Sequence, residues 1–382
     1  MRDSSLKWAP PYYFIFYAAS AALTPFLVIY YQELGLKGTQ IGLLAGIPAL
    51  VSLFSGPIWG ALADLTHKQK PILLAAIAGS IVAALAISAF KTFLWLVPII
   101  ILFSFFFSPI MPLVDSTTMA QLGGQKEKYG QVRLWGSVGW GVSAPIIGWW
   151  MESHSVMGSF WAYGALMSIG WLIALSIPVS GQLGAVSAGG FKNFLVDRRW
   201  QIFLALAFCS GIVLAAISSY LFIFLKDLGA SKVTLGLSLT VATLSEIPVL
   251  YFSNRLLRHW PAQRWMVVSL LVFSLRAFLY TLISVPWMAL LIQLLHGPTF
   301  SLMWTSGVSY ADRIAPPGMK ATAQGIFAGM IMGLGSAAGS MLGGVFYQQW
   351  GLSLLFRLAA ILALVSGGVM LVMEIKSHGH AI

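Results

Sequence analysis

The chain has 382 residues, 58 % of them hydrophobic and only 9 % charged, whereas soluble domains carry roughly 25 % charge. A surface so poor in charge does not stay dissolved, so lipid must be the solvent for most of the chain. The net charge of +11 does not indicate a nucleic-acid binder, because the positive residues sit in short segments between apolar runs rather than along a basic stripe. The single cysteine, Cys209, excludes a disulfide framework and multi-cysteine metal sites.

In chain order the apolar stretches predict twelve membrane-spanning helices, at 8–31, 39–63, 71–90, 93–121, 130–151, 156–178, 200–225, 233–253, 265–284, 286–311, 321–348 and 351–373. This is an all-α membrane protein of two six-helix bundles, 1–178 and 200–382. A Gly- and Ser-rich linker at 179–199, ending in Asp197-Arg198-Arg199, joins them. Ala19-Ser20-Ala21 resembles a signal-peptide cleavage site, but the length of the first span and the eleven that follow predict a retained helix. Sixteen Lys and Arg residues fall on the side of the N-terminus, against Lys37, Lys91, Lys226 and Lys232 on the other. The bias places both termini in the cytoplasm of a multi-pass protein of the plasma (cell inner) membrane.

The two halves repeat. Glu33-Leu34-Gly35-Leu36-Lys37-Gly38-Thr39-Gln40-Ile41-Gly42-Leu43 aligns without gaps on Asp227-Leu228-Gly229-Ala230-Ser231-Lys232-Val233-Thr234-Leu235-Gly236-Leu237. A parallel repeat of six spans is the layout of a rocking secondary transporter with its site between the halves. Gly56 and Gly60, Gly136, Gly139 and Gly141, Gly325, Gly329 and Gly333, and Gly335, Gly339 and Gly343 mark helix faces on which backbones approach closely.

An ionisable group inside a bilayer costs a few kcal/mol, so each one needs a partner or a task. Asp115 follows Pro109 and Pro112 in span 4, Arg133 opens span 5, Glu246 lies in span 8 and Arg276 in span 9. His296 precedes Gly297-Pro298 in span 10, where the backbone should loosen and free a carbonyl. These five residues form a nearly neutral set fit to line one wet cavity, although an Asp115–Arg133 pair locking spans 4 and 5 fits equally well. Trp140 stands two turns after Arg133 on the same face, a platform for a sugar or an aromatic ring. Arg357, close to the end of span 12, is expected to snorkel outward. Asp64 at the end of span 2, followed by Lys68, suits a cytoplasmic charge clasp that gates the transporter.

Gly60-x-Leu-x-Asp64 with its trailing basic residues resembles the cytoplasmic signature of the major facilitator superfamily, with Thr66-His67 where that signature has glycine. Tyr129-Gly-Gln-Val-Arg133-Leu-Trp-Gly-Ser-Val-Gly-Trp140 resembles the start of span 5 in the lactose permease and phenylpropionate permease families, and Pro109-Ile-Met-Pro112-Leu-Val-Asp115 resembles the latter most closely. Asp115 lies 18 residues before Arg133, as the acid does in both families. Glu246, Arg276 and His296 stand where lactose permeases keep an acid, an arginine and a histidine. The resemblance implies a proton-coupled symporter of a small organic solute. Asp115, Arg133 and Trp140 would bind substrate with help from Glu246, and Glu246, Arg276 and His296 would couple the proton. Thr299 stands where those permeases carry a glutamate that serves as proton carrier, so the carrier here should be Glu246 or Asp115, with Glu246 preferred. Moving Glu246 relative to Arg276 would then load and release the proton.

A proton entering down 100 mV releases about 2.3 kcal/mol, enough for roughly fifty-fold accumulation at one to one. The solute is read as a sugar or oligosaccharide, with an aromatic carboxylate as the alternative and a nucleoside as a third option. A lipid flippase or drug exporter is the rival from another class. The histidines show no metal-ligand spacing outside the tail, and no G-x-x-x-x-G-K-[ST] loop is present, so neither a metalloenzyme nor an ATP-driven pump is expected. The expected partners are the solute, protons and the bilayer, with no cofactor, metal or nucleic acid, and the chain should act as a monomer.

Overall fold

The computed structural model describes residues 6–123, 125, 128–178, 197–316 and 319–379. Most of the expected linker, 179–196, lies outside the described residues. Its last three residues belong instead to a helix start, where the Asp197 carboxylate caps the chain by accepting from the Arg199 amide at 2.8 Å.

Twelve helical segments follow one another among the described residues. They are α1 (Ala9–Glu33), α2 (Gly38–Thr66), α3 (Gln69–Ala89), α4 (Phe93–Leu122), α5 (Tyr129–His154), α6 (Met157–Ala174), α7 (Arg198–Asp227), α8 (Lys232–His259), α9 (Ala262–Tyr280), α10 (288–314), α11 (Lys320–Trp350) and α12 (Leu352–Gly379). Ten of them are long and apolar enough to cross a membrane. The other two, α5 and α10, fall short for physical reasons: Arg133, Glu152 and five glycines dilute α5, and a π-turn at Gly297–Ser301 interrupts α10. Prolines set the other breaks. α1 tightens into a 3₁₀ turn at Thr24–Phe26 around Pro25, and α4 is broken between Phe107 and Ile110 at Pro109.

The sequence repeat corresponds to a repeated turn. Gly35 and Gly229 both take positive φ, +73° and +87°, and each amide donates to the carbonyl three residues back, Gln32 and Lys226 respectively. Only a residue without Cβ takes this left-handed exit from a helix at no steric cost, which accounts for the glycine in both copies.

The described chain divides into two compact units. Unit 1 comprises Met1–Leu36, Leu50–Ala185 and Ala230–Thr240, and unit 2 comprises Lys37–Ala49, Val186–Gly229 and Val241–Ile382. The units therefore differ from the expected halves by an exchange: the first turns of α8 go with unit 1 and those of α2 with unit 2. Close backbone approach explains both transfers. In unit 1 a Cβ on Gly236 would lie 2.5 Å from Pro145, and Thr240 donates to the Gly141 carbonyl at 2.5 Å. In unit 2 a Cβ on Gly42 would lie 2.6 Å from the Ser340 carbonyl, and Thr39 donates to Gln348 at 2.9 Å.

The glycine motifs sort accordingly. Gly335 and Gly339 of α11 sit against the α7 backbone at Phe208 and Ile212, and Gly343 against the Tyr220 ring, while a Cβ on Gly56 or Gly325 would meet nothing. In unit 1 a Cβ on Gly139 would lie 2.2 Å from the Phe14 carbonyl oxygen, and a Cβ on Gly136 would lie 2.6 Å from the Tyr17 ring. This crossing of α1 and α5 leaves no room for a side chain. Gly139→Val is expected to cost about 1–3 kcal/mol by overpacking, read as a lower midpoint of thermal unfolding, whereas Gly56→Ala should leave it unchanged.

Candidate functional site

Each unit carries one polar cluster. In unit 1, α1 presents Tyr13 and Tyr17, one turn apart, to the charged residues of α4 and α5. The Tyr13 hydroxyl donates to Asp115 Oδ1, and Tyr129 lies near the same carboxylate. Arg133 donates through Nη2 to the Tyr17 hydroxyl and stacks its guanidinium on the same ring, 4.1 Å from the centroid, with the Tyr13 ring at 5.8 Å. Among the described residues no ion pair joins Asp115 to Arg133, so the expected lock is replaced by two hydroxyl contacts to α1. The reason is the α1–α5 crossing, which brings the tyrosines up to both charges. Arg133 and Trp140 are half-buried. Among the described residues Arg133 has no hydrogen bond besides that to Tyr17, leaving donors of its fork for a solute.

In unit 2, Glu246 of α8 meets His296 of α10, with Oε1 and Nε2 3.1 Å apart, and Oε2 accepts from Ser301 at 3.2 Å. Arg276 of α9 is 2 % exposed and does not bond Glu246. Its Nη1 donates to Thr299 Oγ1 at 3.1 Å and its Nη2 to Gln293 Oε1 at 2.5 Å, and the Tyr280 hydroxyl shares Gln293 at 3.2 Å. The Arg276 Nε and His296 Nδ1 have no hydrogen-bond partner. The expected Glu246–Arg276 couple is therefore two sets of contacts, one of Glu246 with His296 and Ser301, the other of Arg276 with neutral oxygens. The packing of Thr299 and Gln293 beside Arg276 explains the split: their oxygens accept from both Nη atoms, so the guanidinium is occupied without Glu246.

The loosened backbone at Gly297-Pro298 is a π-turn, and its freed groups are not left unpaired. The Ser245 hydroxyl of α8 accepts from the Gly297 amide at 2.9 Å, while its own hydrogen goes to the Ala242 carbonyl at 2.7 Å, with the Gln293 carbonyl farther off at 3.3 Å. Thr299 donates to the His296 carbonyl at 2.8 Å, and Ser269 of α9 donates to the Thr299 carbonyl at 2.6 Å. Ser245 precedes Glu246, so the same contact that heals the π-turn sets Glu246 opposite His296.

At the expected gate, Lys68 is exposed and its amide donates to Thr66 Oγ1 at 3.3 Å. The Asp64 side chain lies outside what is described. His67 takes φ +53°, so the turn that glycine serves in the signature is kept by a residue that pays for it in strain. Arg357 is exposed, in keeping with an outward-snorkelling side chain. Sequence reasoning missed Tyr13, Tyr17, Gln293, Ser245 and Ser301. The four-residue spacing of the two tyrosines was the available signal; the others look like ordinary polar residues until α8, α9 and α10 are packed.

Charged clusters held on long apolar helices are what a membrane transporter of this helix count carries. The chain belongs to the MFS_1 like family, whose model matches residues 7–358. It is thus a multi-pass membrane protein of the major facilitator type and not an enzyme. It is 26 % identical over 367 residues to the "Maltose permease" of Geobacillus stearothermophilus, covering 95 % of this chain and 93 % of that one. It is 25 % identical over 366 residues to the "Probable 3-phenylpropionic acid transporter" of Escherichia coli (strain K12), covering 94 % and 95 %. The crystal structure of nucleoside transporter NupG shares the fold with a TM-score of 0.86 at 18 % identity, covering 97 % of this chain and 99 % of that one.

Proposed function

We propose that this transporter moves a small organic solute together with a proton, by alternating access, across the plasma (cell inner) membrane, as a monomer with both termini in the cytoplasm. The observation that carries this reading is the Glu246–His296 contact at 3.1 Å, beside an Arg276 that is occupied by Thr299 and Gln293. A carboxylate whose nearest ionisable neighbour is an imidazole exchanges its proton more readily than one locked to a guanidinium. Glu246 then carries the proton, with His296 and Arg276 as its setting. Asp115, Arg133 and Trp140 bind the solute, Tyr13 and Tyr17 hold the first two in place, and Asp64 and Lys68 gate.

A sugar or oligosaccharide is the first reading of the solute, supported by the Trp140 platform and by the likeness to a maltose permease. An aromatic carboxylate is the second, supported by the donors that Arg133 leaves unused within the described structure and by the likeness to a phenylpropionic acid transporter. Thermal unfolding of the purified protein with sugars, aromatic acids and nucleosides tests the choice. A true solute at about 100 times its Kd should add roughly 2.7 kcal/mol. Stabilisation by one class selects it, and a flat response to all three rejects the assignment of Asp115, Arg133 and Trp140.

A further inference from the structure

We infer that the end of α8 and its turn into α9 form a binding site for the headgroup of an anionic phospholipid, held by Arg255 and Arg258. This site serves neither the solute nor the proton, and all of it lies in unit 2.

The repeat shows what sets this turn apart. Its register, Glu33 over Asp227, puts Asp64 near the end of α2 over Arg258 near the end of α8. An arginine thus stands in the second copy where the first has an acid to balance its basic residues. The other basic turns on the same side carry Glu127, Asp197 or Asp312, whereas no Asp or Glu occurs between Glu246 and Asp312. One acid does reach the α8–α9 turn from elsewhere. Glu374 of α12, 5 % exposed, pairs with Arg264 in the first turn of α9. Arg255 and Arg258 are exposed and make no ion pair among the described residues. Three residues apart, they share one face of α8, and the Arg255 guanidinium lies 5.7 Å from the centroid of the Phe252 ring. Two guanidinium forks without a carboxylate suit the oxygens of a phosphodiester.

The aromatic residues around them assign that phosphodiester to a lipid. Tyr251 is 79 % exposed, and Phe252 and Trp260 are exposed as well. Trp260 packs on Trp265 with ring centroids 4.9 Å apart, and Trp265 Nε1 donates to the Leu256 carbonyl at 2.7 Å, which fastens the turn back onto α8. Tyr and Trp side chains settle at the depth of lipid headgroups, where the ring meets acyl chain and the polar tip meets water. A soluble anion would leave these rings in water, whereas a phospholipid covers rings and guanidinium groups together. On the proposed orientation the turn faces the cytoplasmic leaflet, where anionic lipids concentrate.

Native mass spectrometry of the full-length protein tests this, with phosphatidylglycerol and phosphatidylcholine of identical acyl chains titrated in detergent. At about fivefold per arginine, phosphatidylglycerol should bind about 25-fold more tightly than phosphatidylcholine. Arg255→Gln combined with Arg258→Gln should bind the two lipids alike. Arg198→Gln combined with Arg199→Gln takes the same charge from the start of α7, beside Asp197, and should keep the preference. Arg258→Asp, which restores the acid of the first copy, should abolish the preference alone and decides if the double variant does not fold. Equal binding of both lipids by the wild type overturns the inference, as does a preference that survives Arg258→Asp. Equal loss in the two double variants overturns it too, since the attraction is then one of net charge without a site. Displacement of phosphatidylglycerol by an excess of inorganic phosphate would make this a site for a soluble anion and overturn the lipid assignment.

Discussion

Glu246→Gln is expected to abolish accumulation of solute against its gradient while preserving exchange of internal for external solute. Glutamine matches the carboxylate in shape: its carbonyl can accept from Ser301 or His296, and the amide is a permanent copy of the protonated acid. The solute-loaded, proton-loaded form still rocks between its two faces, so exchange continues. Return of the empty carrier requires a carboxylate that has given up its proton, and the variant never has one, so net uptake is blocked and the internal concentration cannot rise above the outside one. Reconstituted vesicles with a pH gradient of one unit, which supplies about 1.4 kcal/mol per proton and hence about tenfold accumulation, give a direct reading. Wild type should approach tenfold and the variant should stay at one. Undiminished accumulation by the glutamine variant would remove Glu246 as the carrier.

Arg133→Lys is expected to weaken solute binding by about 10–100-fold, or about 1.4–2.8 kcal/mol. Arg133 has its Cζ over the Tyr17 ring, 4.1 Å from the centroid, while its Nη2 reaches that residue's hydroxyl, a geometry suited to a planar group with several fixed donors. An ammonium keeps the charge but neither stacks as a plane nor offers a fork, so the remaining donors no longer point where a solute waits. Because Asp115 is held by the Tyr13 hydroxyl and, among the described residues, makes no ion pair with Arg133, the same change should leave its position and the stability of unit 1 nearly intact. Equilibrium binding and thermal unfolding, measured together on the variant, separate the two effects. An unaltered Kd would take Arg133 out of the binding site, and a large loss of stability would make it a structural residue instead.

What could be read from sequence was whatever depends on one helix at a time. Twelve apolar runs, the breaks at Pro25, Pro109 and Pro298, and the paired turns at Gly35 and Gly229 are local, because hydropathy, a missing amide hydrogen and a missing Cβ act within a few residues. The five ionisable residues stood out for a similar reason, since lipid tolerates no idle charge. Their partners could not be read this way. Asp115 and Arg133 look like a pair until the glycines of α5 let α1 in close enough to place a tyrosine on each, and Arg276 and Glu246 look like a pair until Thr299 and Gln293 are packed beside the arginine. Opposite charges along a sequence suggest a bond; neutral hydroxyls and amides on neighbouring helices decide whether it forms.

The Ser245 hydroxyl has a mechanical consequence. It ties α8 to α10 by accepting from the Gly297 amide at 2.9 Å, and it sits one residue before Glu246. Helices tied in this way are expected to move together near the contact, which would keep Glu246 and His296 at their separation. On the proposed reading of Glu246 as proton carrier, the cycle would then work by wetting and drying this block rather than by pulling its two members apart.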